Sequence, residues 1–140
     1  GRIMRIKEYH HIVQYYETDK MGITHHSNYV RWMEESRVDF LEQIDCSYAR
    51  LEEMGAISPV VSVDVNYKKP TTFSDDVAIK VSIAEYNGIK IVFDYEMKNK
   101  KGDVVCTAKS THCFVNKEGR VVIVSNQLPQ LDKIIKSIIK

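Results

Sequence analysis

Asp19 stands three residues before Gly22 and seven before His26, where the run His26-Ser27-Asn28-Tyr29 opens a helical pattern. An ionised carboxylate beside the unpaired N–H groups of a helix start makes a small hydrolytic centre. The carboxylate can attack a carbonyl carbon or activate water, and the N–H groups can draw negative charge onto the carbonyl oxygen. Gly22 allows a tight backbone path and close approach of a ligand. His26 can donate through its backbone N–H, its imidazole, or both. Ser27, Asn28 and Tyr29 either meet a substrate or hold the loop and helix start together. Read apart from its neighbours, Asp19 is also a common loop or capping aspartate.

Other chemistry-bearing residues fit duller roles. Glu34 and Glu35 lie on a charged helix face and can pair with Arg31, which makes them a solvated face or a dimer contact. His10, His11, His25 and His26 suggest a metal only at first sight. Adjacent histidines on a strand point to opposite faces, and no cysteine or carboxylate spacing completes a site, so none is expected. Cys46 and Cys113 carry no nucleophile signature and read as packing residues. Lys68, Lys69, Lys98, Lys100 and Lys101 sit at strand ends, where they can meet an anionic ligand or simply be solvated.

The elements that must position these residues follow from periodicity. Lys7 to Glu17, rich in aromatic and β-branched side chains, predicts a first strand, and Thr18 to His25 a loop. Tyr29, Trp32, Met33, Ser36, Phe40, Leu41 and Ile44 recur at helical spacing. Ser47 to Met54 predicts a short second helix that Gly55 stops. The period then falls to two. Val61, Val63, Val65 and Tyr67 form one alternating run, ended by Pro70. Val77 to Ile83 forms the next, and Ile89, Ile91, Phe93, Tyr95 and Met97 a third, with a hairpin turn at Asn87-Gly88 between them. A long strand is expected from Asp103 to Asn116 and a short one from Val121 to Val124. Pro129 opens an amphipathic terminal helix that docks on the body. Short connections favour an antiparallel sheet of about five strands, covered on one face by the long helix.

The chain has 140 residues, which fits a single α+β domain over 1–140. Lys plus Arg is 20 and Asp plus Glu is 19, for a net charge of +1. That balance argues against a nucleic-acid binder. Three cysteines leave an odd one over and form no CxxC pair, which fits reduced thiols in a cytoplasmic setting. No apolar run suits a membrane span, and GRIMRIKEYHH is too polar for a signal-peptide core. Met4 is the expected natural start.

Asp-x-x-Gly followed by His-x-Asn-Tyr at a helix start resembles the hotdog-fold acyl-CoA thioesterases, in residues Asp19, Gly22, His26, Asn28 and Tyr29. The likeness is to the 4-hydroxybenzoyl-CoA thioesterase type and its Tol-Pal-associated bacterial relatives. Asn66-Tyr67-Lys68-Lys69-Pro70, Asp75-Asp76 and the Ala108-to-Val115 strand ending resemble the same family, and the likeness spans about Arg5 to Pro129. It implies a curved antiparallel sheet wrapped around the long helix, with sheets paired edge to edge in a homodimer or homotetramer. It implies active sites at the dimer interface that take CoA thioesters. Asp19 would be the catalytic carboxylate, and the N–H near His26 would polarise the carbonyl. No cofactor is implied, since coenzyme A is part of the substrate. Two departures stand out. Lys20 and Met21 replace small residues, which places Met21 to reshape the acyl pocket. His26 stands where the benzoyl branch has tyrosine, so an aromatic-acyl preference does not carry over.

These readings together predict an acyl-CoA thioesterase, with an acyl-ACP substrate as a variant. The alternative is a non-catalytic acyl-CoA or acyl-ACP binding or sensing domain. A hotdog dehydratase would need a histidine with an acidic partner on its own helix motif, which is not seen.

Overall fold

The computed structural model describes residues 5–139, so the expected start at Met4 lies outside it. The chain runs β1 (Tyr9–Ile12), a 3-10 turn (Tyr15–Glu17), α1 (Ser27–Gln43), α2 (Tyr48–Glu53), β2 (Val60–Tyr67), β3 (Asp76–Tyr86), β4 (Lys90–Lys98), β5 (Val104–Cys113), α3 (Val124–Gln127) and α4 (Pro129–Ile138). All strand pairs are antiparallel, in the order β1-β3-β4-β5-β2. A five-stranded antiparallel sheet with one long helix is what the element order predicts, and it is the hotdog arrangement that the resemblance implies.

The α1 series Tyr29, Trp32, Met33, Ser36, Phe40, Leu41 and Ile44 is buried throughout. It meets Ile79 and Ile83 from β3 and Phe93, Tyr95 and Met97 from β4 in one core. Phe40 sets its ring edge-on to Phe93 at 5.7 Å. The β3–β4 hairpin turns at Gly88, whose φ of +91° suits glycine. There the Asn87 side-chain oxygen accepts from the N–H groups of Ile89 and Lys90. Leu131 and Ile135 bury α4 on the body, and Tyr86 donates to Asp132 from β3.

Four local expectations are corrected. The first strand covers only Tyr9–Ile12 of the expected Lys7 to Glu17. Glu17 explains the shortening, because its carboxylate accepts the Gln14 N–H and closes a 3-10 turn. Val121 to Val124 is not a strand: Val121 makes one bridge to Val115, and Val124 begins α3, whose start is capped when Gln127 accepts the Ile123 N–H. Ile89 precedes β4 and is exposed. Arg31 forms no ion pair with Glu34 or Glu35 among the described residues; Glu35 pairs with His11 instead.

Arg37, which the apolar series omits, is buried with no carboxylate partner among the described residues. Its Nε donates to the Tyr48 hydroxyl at 2.8 Å and its Nη1 to the Tyr95 hydroxyl at 3.0 Å. Tyr95 then meets Ser110 Oγ at 2.7 Å, and Ser110 meets His112 Nε2 at 2.7 Å. Arginine only donates, so the tyrosine proton goes to Ser110 and the serine proton to His112 Nε2. This leaves a neutral imidazole with its proton on Nδ1. Burial, aided by the Arg37 charge, pushes the His112 pKa down to about 4. The unfolded chain takes up that proton near pH 6.5 and the folded chain does not, so stability falls as pH drops from 6.5 toward 4. The expected loss is on the order of 3 kcal/mol. Urea unfolding at pH 7 and pH 4 measures it, and His112→Gln should flatten that acid limb.

Candidate active site

The loop carrying Asp19 is pinned at several points. Thr18 and Thr24 bridge its two ends, and Ile23 bridges to Thr72. The Asp19 N–H donates to the Ile23 carbonyl at 2.8 Å, and the Gly22 N–H to the Asp19 carbonyl at 3.0 Å. Gly22 takes a left-handed φ of +79°, and a Cβ there would meet nothing within 4 Å, so the turn alone explains the glycine on the protein side. Thr72 donates its hydroxyl to the Gly22 carbonyl at 2.7 Å. Asp19 itself is half-buried. Its Oδ1 accepts the Met21 N–H at 2.8 Å, while Oδ2 accepts no hydrogen bond among the described residues. One carboxylate oxygen thus fixes the side chain and the other is left for chemistry.

The helix start is built around Glu17 and Tyr67. The Glu17 carbonyl accepts from the His25 N–H at 2.8 Å and from Asn28 Nδ2 at 3.0 Å. Asn28 is buried and also donates to the His25 carbonyl, so it holds the loop to the helix start. The Tyr67 hydroxyl donates to the His26 carbonyl at 3.0 Å, tying α1 to the end of β2. The Ser27 N–H and hydroxyl both reach His25 Nδ1, at 3.2 and 2.8 Å, so that nitrogen is the acceptor. The His26 imidazole is exposed and stacked on His25 at 4.3 Å. The His26 N–H has no acceptor among the described residues.

A cleft of about 270 Å³ opens beside this helix start. His26, Tyr29, Tyr67 and Lys68 line it with Ile23 and Lys69. Tyr29 packs on Tyr67 at 5.1 Å and bonds Thr71 Oγ1 through its hydroxyl at 2.9 Å. Of the expected site residues, His26, Tyr29 and Lys68 therefore come together on one wall. Asp19, Gly22, Ser27 and Asn28 lie in the adjoining loop and helix turn and do not line this cleft. Met21 is 77% exposed and is not on its wall, so the expected reshaping of the pocket is not seen within one protomer.

Lys69 pairs with Asp103 at 3.3 Å and Lys98 with Glu96 at 3.5 Å, whereas Lys68 has no ion pair among the described residues. Burial pushes the Cys106 thiol up to about 11, which leaves it an inert packing group. A larger hollow of about 330 Å³ lies on the outer sheet face among Asp64, Lys80, Asp94 and Lys109, and includes none of the loop residues. Among the described residues no cluster of three or more His, Cys, Asp or Glu is arranged to hold a metal ion. None of their helices is long and apolar enough to cross a membrane.

Residues 13–137 match the thioesterase-like superfamily. The chain belongs to that superfamily. The match reaches into α4, beyond the span the sequence motifs covered. Among curated relatives, the chain is 39% identical over 106 residues to the protein named "Putative acyl-CoA thioesterase YneP" in Bacillus subtilis, covering 76% of this chain and 77% of that one. Among solved structures, the DHNA-CoA thioesterase of Staphylococcus aureus superposes with a TM-score of 0.89 at 30% identity, covering 93% of this chain and 88% of the other. The gentisyl-coenzyme A thioesterase BH1999 gives 0.80 at 25% identity, over 88% and 99%. This member of the superfamily shares the hotdog fold with both.

Sequence reasoning missed Tyr67 as a wall of the cleft, having read it as one position in an alternating strand and as part of the Asn66-to-Pro70 strand ending. It also missed Glu17 and His11, whose role depends on contacts between separate elements.

Proposed function

We propose that this chain hydrolyses an acyl-CoA thioester to the free acid and coenzyme A. The observation that carries the reading is Asp19 on a pinned loop, with one carboxylate oxygen that accepts no hydrogen bond among the described residues, next to a helix start where the His26 N–H has no acceptor among them and His26 lines an apolar cleft. A thioester carbonyl is electrophilic and thiolate leaves readily, so a carboxylate and an oxyanion donor suffice. Asp19 acts in one of two ways. As a general base it takes a proton from water, the water oxygen bonds the carbonyl carbon, and the C–S bond breaks to release thiolate. As a nucleophile it bonds that carbon itself, the C–S bond breaks to release thiolate, and water then opens the mixed anhydride to the free acid and the Asp19 carboxylate. In both routes the His26 N–H, here an oxyanion donor, stabilises negative charge on the carbonyl oxygen. Lys68 is placed to meet the phosphates of CoA, and Tyr29 to bound the acyl end.

The reaction as proposed needs no cofactor or metal. The S. aureus and BH1999 relatives carry names of aromatic acyl-CoA thioesterases, which makes aromatic thioesters natural members of a substrate panel. The loop motif supports the 4-hydroxybenzoyl-CoA and Tol-Pal-associated types within the superfamily. A cytoplasmic location, an acyl-ACP variant of the substrate, and a homodimer or homotetramer complete the reading. The test is thiol release from a panel of short, long and aromatic acyl-CoAs. At least one should turn over, with free CoA and free acid formed in equal amounts. Binding of a non-hydrolysable CoA thioester analogue with no turnover of any panel member would replace this reading with a binding or sensing domain.

A further inference from the structure

Glu17 is only 4% exposed, yet it stands two residues from Asp19. Its Oε1 accepts from the Gln14 N–H at 2.8 Å and faces His11 Nε2 at 2.8 Å. Its Oε2 accepts from the Trp32 indole N–H at 2.8 Å. The other ring nitrogen of His11 faces Glu35 Oε2 at 2.9 Å, and the Tyr9 hydroxyl donates to that same oxygen at 3.0 Å. The His11 ring also lies against Trp32, with centroids 4.6 Å apart. Each ring nitrogen of His11 faces a carboxylate oxygen, so the ring joins Glu17 to Glu35. Glu17 is thus anchored at once to β1 through His11, to α1 through Trp32, and to its own turn through Gln14. Its main-chain carbonyl meanwhile holds the His25 N–H and Asn28.

We infer that Glu17 is a positioning residue for the hydrolytic site: its clamped carboxylate fixes the start of the Asp19 loop, and its carbonyl fixes the helix start, so one residue sets the carboxylate against the His26 N–H. A buried carboxylate is costly unless its hydrogen bonds are filled, and three donors fill these. Burial raises the Glu17 pKa, but the Gln14, His11 and Trp32 hydrogen bonds outweigh that and hold it below the usual carboxylate range. The clamp therefore stays charged at neutral pH. Nothing in it touches the cleft, so its influence on turnover runs through Asp19 and the loop.

This inference rests on the thioesterase reading. The test is a double-mutant cycle between Glu17→Gln and Asp19→Asn, assayed with an acyl-CoA that the wild type turns over. Glutamine keeps the size of the side chain but sets an N–H2 against groups that already donate. Glu17→Gln should lower kcat by about tenfold or more with KM changed by less than about threefold. In the Asp19→Asn background it should change kcat by less than about threefold, because a misplaced group that is already missing has nothing further to lose. Trp32→Phe removes one donor and gives a milder variant should Glu17→Gln fold poorly, with the same loss of effect in the Asp19→Asn background. In the Glu17→Gln background it should restore part of kcat by removing the donor clash. An unchanged kcat in Glu17→Gln, or equal losses in both backgrounds, would overturn the positioning role alone. Full turnover by Asp19→Asn as a single variant would overturn the catalytic reading, and this inference with it.

Discussion

Asp19→Asn is expected to lower kcat for acyl-CoA hydrolysis by about 10²–10⁴-fold, the range a positioned acid–base group supplies. Asparagine keeps the oxygen that accepts the Met21 N–H, so the tight turn at the loop is retained. The main-chain bonds from Asp19 to Ile23 and Gly22 do not involve the side chain. What is lost is the negative charge and basicity of the free oxygen, and that loss falls on kcat with KM little affected. Steady-state thiol release at saturating substrate measures it, with circular dichroism and thermal unfolding showing that the fold persists. Undiminished turnover in a folded variant would reject Asp19 as the catalytic group.

The second large effect is expected at the sheet edge. Strand β2 ends the sheet order and, among the described residues, pairs with β5 alone. Val60, Val63 and Tyr67, opposite His112, Ser110 and Cys106 on one face of the sheet, and Val61 at the bulge are 42–60% exposed. Open strand edges with apolar side chains invite pairing, and a second copy of the chain would cover this one. Tyr67 also bonds the His26 carbonyl, so the cleft abuts the same edge and a partner would complete its open side. A Val61→Lys/Val63→Lys double variant should run as a monomer in light scattering and lose at least about tenfold in kcat/KM, since lysines on an edge oppose pairing. A wild-type chain that is monomeric at assay concentration, or a monomeric variant with full activity, would contradict an interface site.

Much of this architecture is legible in the sequence, for definite reasons. Period-two runs in β3 and β4 and the 3.6 period of α1 record burial on one face, so those elements read correctly. Asn87-Gly88 and Pro129 mark their turn and helix start by backbone chemistry alone. Legibility fails where a contact distant in sequence decides. Glu17 ends the first strand early because its carboxylate accepts from Gln14, His11 and Trp32, and only the last two reveal that it is buried. Arg37 falls outside the apolar series but is buried, since its partners Tyr48 and Tyr95 come from other elements. The β2 alternation predicts a buried face that a lone protomer lacks, because that face belongs to an edge. At the site, the placing of Asp19, Gly22 and His26 on one loop and helix start was legible from their spacing. The wall that Tyr67 adds was not, because it depends on β2 ending beside α1.

The most direct measurement is a crystal structure with a non-hydrolysable CoA thioester analogue bound. The account predicts the carbonyl oxygen about 3 Å from the His26 N–H, with an Asp19 carboxylate oxygen poised toward the carbonyl carbon directly or through one water. An analogue seated elsewhere, or an Asp19 turned to bulk solvent away from the bound carbonyl, would contradict it.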